Sequence, residues 1–170
     1  MGMGKLKIAS LNVRGINDNT KRKVLFQWLK DKDIDIICLQ ETFIQQHEIG
    51  KVKEDWHGHS YFCPTNSSHS RGCIILIQPN FEHEFLSSIT DKEGRRLMIN
   101  FKHNQQTYCI VNIYAPNNEA HRRDFMVQIK KWVHTHSMNL NCLIIVGDFN
   151  CALNPIDRLN NFHAHDSTIN

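Results

Sequence analysis

The stretch that most constrains this chain is Leu143-Ile144-Ile145-Val146-Gly147-Asp148-Phe149-Asn150. Four apolar residues, mostly β-branched, read as a buried strand. Gly147 ends the run and frees the backbone to turn. In an extended chain, residues i and i+2 point the same way. Asp148 and Asn150 are therefore expected to project together from the end of a central strand, with Phe149 anchoring the other side. Ends of buried strands in layered α/β folds often carry catalytic groups. A strand followed by an ordinary Asp/Asn turn explains the same residues without any chemistry, so the rest of the chain must supply the context.

That context is a recurring pattern. Lys5 to Leu11 alternates polar and apolar residues and delivers Asn12. A helix is expected from Thr20 to Lys30, capped by Asp18 or Asn19, with Val24, Leu25, Trp28 and Leu29 as its apolar stripe. Asp33 to Leu39 reads as a second strand ending in Gln40-Glu41-Thr42, giving a strand–helix–strand unit. Phe43 to His59 reads as a short helix and loops. Further strands are expected at Tyr61 to Cys63, Arg71 to Ile77, Phe81 to Ile89, Arg95 to Phe101 and Thr107 to Ile113. The last ends in Tyr114-Ala115-Pro116-Asn117. Asn118 is placed to cap a helix running to about Thr135, with Phe125, Met126, Ile129, Trp132 and Val133 as its buried stripe. Asn12, Glu41, Tyr114 and the Asp148/Asn150 pair thus all stand at the ends of apolar strands. Singly, each has an ordinary reading as a turn, solvated or core-edge residue; together they form an uncommon arrangement.

Composition narrows the classes. At 170 residues with 41% apolar and 22% charged side chains, one globular domain is expected. No window approaches a membrane span, and the N-terminus lacks an apolar signal core. Leu6 breaks a myristoylation pattern. A net charge of +3 without a long basic block means that a polyanion would have to meet locally focused charge. Cys38, Cys73, Cys109 and Cys142 lie in or beside apolar runs, so the cysteines read as small buried hydrophobes in a reducing compartment rather than a disulfide frame. The pairs His57/His59, His134/His136 and His163/His165 find no completing Cys or carboxylate at regular spacing, which favours surface histidines over zinc. Residues 151–170 read as a polar, irregular tail.

Five segments occur in a familiar order: Ser10-Leu11-Asn12-Val13-Arg14-Gly15, Leu39-Gln40-Glu41-Thr42, Asp91-x-Glu93-Gly94-Arg95, Asn112-Ile113-Tyr114-Ala115-Pro116-Asn117 and Val146-Gly147-Asp148-Phe149-Asn150. Over residues 5–150 the chain resembles the endonuclease/exonuclease/phosphatase superfamily. Within it, the chain looks most like the endonuclease domains of LINE-type retrotransposons, relatives of apurinic/apyrimidinic endonucleases and exonuclease III. The resemblance implies an α/β (α+β) fold, a four-layer sandwich of two mostly antiparallel β-sheets flanked by helices. The local βαβ reading would then be too parallel.

By the same resemblance the activity is DNA phosphodiester hydrolysis with Mg²⁺ or Mn²⁺. Glu41 is the implied metal ligand, with Asn12 beside it. Asp148 would activate the attacking water, Asn150 would orient the phosphate or Asp148, and Tyr114 would approach the scissile phosphate as a donor or a phenolate. Asn117, Arg95, Arg14 and Arg71 are implied DNA contacts, although ordinary solvation also accounts for the arginines. Family members continue past Gly-Asp-Phe-Asn to a terminal Ser-Asp-His. Ala164-His165-Asp166-Ser167 has similar residues in another order and does not take that role. The chain is therefore expected to be the C-terminally truncated first part of a nuclease domain, from a truncated gene model, a degenerate element copy, or a longer polyprotein with a downstream reverse transcriptase. The expected partner is DNA, with no membrane, and the expected location is intracellular, nuclear if the substrate is chromosomal. Two alternatives stay open: a non-catalytic remnant that binds nucleic acid, and a phosphomonoesterase of the same fold.

Overall fold

Apolar, β-branched runs bounded by turn residues become strands. In a computed structural model, which describes residues 5–152, these are β1 (Ile8–Asn12), β2 (Ile36–Gln40), β3 (His59–Cys63), β4 (Cys73–Ile77), β5 (Glu84–Thr90), β6 (Arg96–His103), β7 (Gln106–Tyr114) and β8 (Leu143–Asp148). The helices are α1 (Asn19–Lys30), α2 (Ile49–Asp55) and α3 (Glu119–His136). The strands form two sheets, ordered β1-β2-β4-β3 and β5-β6-β7-β8. No helix of the described residues is long and apolar enough to cross a membrane.

The chain divides into two compact units. One comprises Met1–Tyr114 with Ser137–Asp148, and the other Ala115–His136 with Phe149–Asn170. The first contains both sheets. Alternate residues of β2 and β4 explain how it is layered. Ile36, Cys38, Cys73, Ile75 and Ile77 meet Leu97, Ile99, Phe101 and Ile110 of the other sheet. Ile37, Leu39, Ile74 and Leu76 pack with Phe26 and Leu29 of α1 and with Val52 and Trp56 of the α2 region. Covered on both faces, these strands are continuously apolar rather than alternating. The second unit contains α3, whose buried side chains are Arg122, Phe125, Ile129 and Val133. Asn118 begins that helix, its side chain accepting from the His121 N–H at 3.1 Å.

Both sheets are mixed. Pairs β1/β2 and β7/β8 are parallel. Pairs β2/β4, β3/β4, β5/β6 and β6/β7 are antiparallel. The expectation of mostly antiparallel sheets holds, and so does the local strand–helix–strand reading at β1-α1-β2, which was not too parallel after all. Asn104 and Gln105 take φ of 49° and 65°, the left-handed pair that a tight hairpin requires.

Three expectations need correction. First, β8 is neither central nor fully buried. Among the described residues it pairs only with β7, at the end of its sheet, and Ile145 is 37% exposed. β-branched composition reports strand propensity, not position in the sheet. Gly147 also does not end the strand: it pairs with Ile113, and a side chain there would come within 2.0 Å of the Ile113 carbonyl oxygen. Second, the buried face of α1 is Arg22, Phe26 and Leu29, whereas Val24 and Trp28 are 66% and 50% exposed. Arg22 occupies the buried face because Asp55 neutralises it, Nε to Oδ2 at 2.7 Å. A stripe counted in apolar residues alone leaves such an arginine out. Third, the buried cysteines are Cys38, Cys63, Cys73 and Cys109, while Cys142 is half-buried. His163, His165 and most of the polar tail lie outside the described residues.

Candidate active site

Strand pairing determines which residues meet. At the C-terminal ends of the parallel pairs, Asn12 stands opposite Gln40 and Tyr114 opposite Asp148. Beyond the strands, backbone bonds join the loops into a continuous network. Val13 N–H donates to Gln40 O at 3.0 Å, Gly15 N–H to Glu41 O at 2.6 Å and Ile16 N–H to Thr42 O at 3.0 Å. Thr42 N–H donates to Gly72 O at 3.1 Å, Gly72 N–H to Gly94 O at 2.9 Å and Tyr114 N–H to Arg95 O at 2.8 Å. These loops hold non-glycine residues in the left-handed region: Arg14 at φ 47°, Glu41 at 51°, Phe43 at 60° and Arg71 at 65°. Such backbone costs on the order of 1–3 kcal/mol per residue and persists only where surroundings enforce it. Gly72, at φ +90°, is one enforcing point, since a Cβ there would lie 2.6 Å from Thr42 Oγ1.

On this frame two side-chain pairs form. Asn12 Nδ2 donates to Asp148 Oδ2 at 2.7 Å, and Asn12 Oδ1 accepts the Arg14 N–H at 3.1 Å. The amide thus aims the carboxylate. The second pair is Tyr114 and Glu41, near enough for the carboxylate to raise the phenol's pKa. The Tyr114 phenol is pushed up to about 12, first by burial, then by Glu41 and slightly by Asp148, against an opposing effect of Arg95. In this arrangement the phenol is protonated at neutral pH and serves as a donor.

Arg95 is mostly buried and spent internally. Its Nη1 donates to Tyr114 O at 3.1 Å, its guanidinium lies 5.2 Å from the Tyr114 ring centre, and its Nε is 3.6 Å from Glu93 Oε2. Burial and the neighbouring Arg71 make its charge harder to hold. Asp91 organises the loop carrying it, Oδ1 accepting from Glu93 N–H at 3.2 Å and Arg95 N–H at 3.0 Å. Arg71 reaches the same Glu93 carboxylate at 3.4 Å. Arg14 is exposed, with Lys21 Nζ held 3.0 Å from its carbonyl oxygen.

Asn12, Glu41, Tyr114, Asp148 and Arg95 are therefore brought together in the first unit, with Arg71 adjoining. Asn117 and Asn150 belong to the second unit. Asn150 takes φ 49°, so the strand alternation that would align it with Asp148 stops before it; its Nδ2 donates to Ala115 O at 2.7 Å. Asn117 is exposed, and its carbonyl accepts from Arg122 Nη1 at 2.9 Å. Sequence reasoning assigned no role to Gln40, Asn112, Asp91, Arg22 or Arg122. For all but Asp91, which lies in the turn between β5 and β6, the readable signal was a polar residue inside an apolar strand or on a helix's buried stripe, where a partner is obligatory.

A divalent cation suits the donor set. Glu41 and Asp148 are carboxylates and Asn12 offers an amide oxygen, all hard ligands of the kind Mg²⁺ takes in small number alongside water. Among the described residues no group of three or more His, Cys, Asp or Glu side chains is arranged to hold a metal.

The chain is 28% identical over 153 residues to the Transposon TX1 uncharacterized 149 kDa protein of Xenopus laevis, covering 90% of this chain and 12% of that one. It is 26% identical over 162 residues to the exodeoxyribonuclease of Bacillus subtilis (strain 168), covering 91% of this chain and 62% of that one. It thus spans less than two thirds of either relative. The crystal structure of a functionally unknown conserved protein from Enterococcus faecalis V583 superposes with a TM-score of 0.67 at 17% identity, over 85% of this chain and 67% of that one, a likeness of fold: two mixed sheets with flanking helices. The Endonuclease/Exonuclease/phosphatase family matches residues 9–163, and the chain belongs to it.

Proposed function

We propose that this protein hydrolyses phosphodiester bonds of DNA with a divalent metal, Mg²⁺ or Mn²⁺, nicking as an endonuclease. The observation that carries the reading is the meeting of two pairs, Asn12 with Asp148 and Glu41 with Tyr114, at the ends of strands from both sheets. Glu41, with the Asn12 amide oxygen, would hold the metal, which when bound neutralises charge on the phosphate. Asp148, aimed by Asn12, orients the attacking water and accepts its proton. Tyr114 donates its phenolic hydrogen toward a phosphate oxygen, and Arg95 holds the Tyr114 ring in place. Arg14 and Arg71 meet the DNA backbone. The similarity to a transposon protein and to an exodeoxyribonuclease supports DNA as substrate. The transposon protein's much greater length supports a longer polyprotein, in which this reading expects a reverse transcriptase downstream. The site of action is intracellular, in the nucleus for chromosomal DNA.

The test is nicking of supercoiled plasmid by this chain with Mg²⁺ and with EDTA, beside Asp148→Ala and Glu41→Ala. The expected result is metal-dependent nicking, reduced on the order of 10²–10⁴-fold by Asp148→Ala as for loss of a general base. Glu41→Ala is expected to raise the Mg²⁺ requirement, and Asp148→Ala to change it less. Folded protein that shifts plasmid on a gel without nicking it would replace this reading with a nucleic-acid-binding remnant. Hydrolysis of phosphomonoesters with plasmid left intact would move the reading to a phosphatase.

A further inference from the structure

Beneath the site, a buried amide pair joins the two sheets. Gln40 of β2 is 1% exposed and Asn112 of β7 is 0% exposed. Gln40 Nε2 donates to Asn112 Oδ1 at 2.7 Å and shares its other contacts between Cys38 O at 3.0 Å and Ser10 Oγ at 3.1 Å. Asn112 Nδ2 donates to Leu39 O at 2.9 Å and to Ile74 O at 3.0 Å. Both side chains stand beside the otherwise apolar layer of Ile36, Cys38, Ile75, Leu97, Ile99 and Ile110.

Amides in such surroundings are costly unless satisfied, and here each amide nitrogen has acceptors within bonding distance. An apolar contact tolerates sliding of one sheet over the other; a satisfied amide bond admits one offset. The placement gives that offset a consequence. Gln40 immediately precedes Glu41 and pairs with Asn12. Asn112 lies two residues before Tyr114 and pairs with Val146, itself two residues before Asp148. The bond therefore ties the strand ends carrying Asn12 and Glu41 to those carrying Tyr114 and Asp148.

We propose that Gln40 and Asn112 are positioning residues, whose amide–amide bond sets the spacing between the two halves of the phosphodiesterase site. The proposal rests on the nuclease reading above. Neither residue touches the reacting atoms; both act through the strands that carry Glu41 and Tyr114.

The test shortens and then restores the bridge, in the full chain, with kcat and KM measured on a DNA duplex well below the melting temperature. Gln40→Asn keeps an amide but removes one methylene, so the 2.7 Å bond to Asn112 is lost. The expected result is a fall in kcat approaching 10²-fold, the order that a misplacement of about 1 Å costs, with KM little changed. Gln40→Asn/Asn112→Gln restores the combined length and is expected to recover most of the loss. Such recovery is a coupling that independent effects on stability do not produce. Should Gln40→Asn not fold, Gln40→Met/Asn112→Leu leaves no amide unpaired and is expected to fold with kcat similarly reduced. Wild-type kcat in a folded Gln40→Asn protein, or in the folded apolar pair, overturns the proposal. So does a lowered kcat that the compensating substitution leaves unchanged. Wild-type protein that binds Mn²⁺ and DNA but does not nick overturns the nuclease reading itself, and this inference with it.

Discussion

The two strand–helix–strand crossovers, β1-α1-β2 and β7-α3-β8, are built on the same local plan. Each pairs its strands in parallel and places polar residues at the C-terminal ends. Each helix begins with a side-chain cap, Asp18 accepting from Lys21 N–H at 2.7 Å and Asn118 from His121 N–H at 3.1 Å. Four residues after each cap stands a buried arginine. Arg22 Nη1 donates to Ile16 O at 3.1 Å and Asn17 O at 3.2 Å. Arg122 Nη1 donates to Pro116 O at 3.4 Å and Asn117 O at 2.9 Å. The guanidinium thereby satisfies carbonyls of the loop that leads from strand to helix, an arrangement suited to its planar fork.

The crossovers differ in their second strands. β2 lies between β1 and β4 and is buried at all five positions. β8 pairs with β7 alone among the described residues and is half-exposed along its length. The lesson is that similar local sequence produces similar caps, strand ends and loop clamps, whereas burial depends on what the rest of the chain places alongside.

The ion pair beneath the first crossover should give the largest effect. Asp55→Ala leaves Arg22 buried without its 2.7 Å partner and is expected to cost about 3–5 kcal/mol, read by urea denaturation. A cost below 1 kcal/mol would mean that the carbonyls of Ile16 and Asn17 suffice to hold Arg22.

Truncation of the second strands sharpens the contrast. Leu39→Ala, in a fully buried position, is expected to cost about 2–5 kcal/mol. Ile145→Ala, at a position 37% exposed, should cost less than half as much in the same denaturation measurement. Equal costs would show that β8 is as enclosed in solution as β2.

The caps should instead behave alike. Asp18→Ala and Asn118→Ala are each expected to lose about 1 kcal/mol, measured as a shift in the unfolding midpoint. A difference beyond about 1 kcal/mol would break the analogy between the two helix starts.

The smallest effect concerns alkaline pH. Burial, with Asp91 adding to it, pushes the Cys63 thiol up to about 12. A folded-state pKa above the unfolded one gives stability that is fully present below the unfolded value and is lost as pH rises toward the folded value. Melting temperature should therefore hold to about pH 8.5, the ordinary thiol range, and decline above it. Cys63→Ala should flatten that decline relative to wild type. The buried Cys38 and Cys73, raised by desolvation in the same way, should resist alkylation under native conditions while Cys142 reacts.

Much of this was legible locally. Apolar runs bounded by turn residues located the strands to within a few residues, because propensity and turn chemistry act over short range. The cap at Asp18 and the cap at Asn118 follow from side chains acting on nearby backbone. Asn12, Glu41, Tyr114 and Asp148 were visible as polar ends of apolar strands, and the family resemblance assigned them a chemistry.

What the amino-acid order determined by itself was therefore the set of elements, their polar ends and the residues able to carry a reaction. Tertiary structure decided the rest. It put β8 at the end of its sheet, turned Arg22 rather than Val24 and Trp28 inward, and held Glu41 in left-handed backbone. It also set Gln40 against Asn112, 72 residues away in sequence. The physical reason is range: propensities and caps are settled among neighbours, whereas burial, paired charge and sheet offset depend on residues that only the completed fold brings into contact.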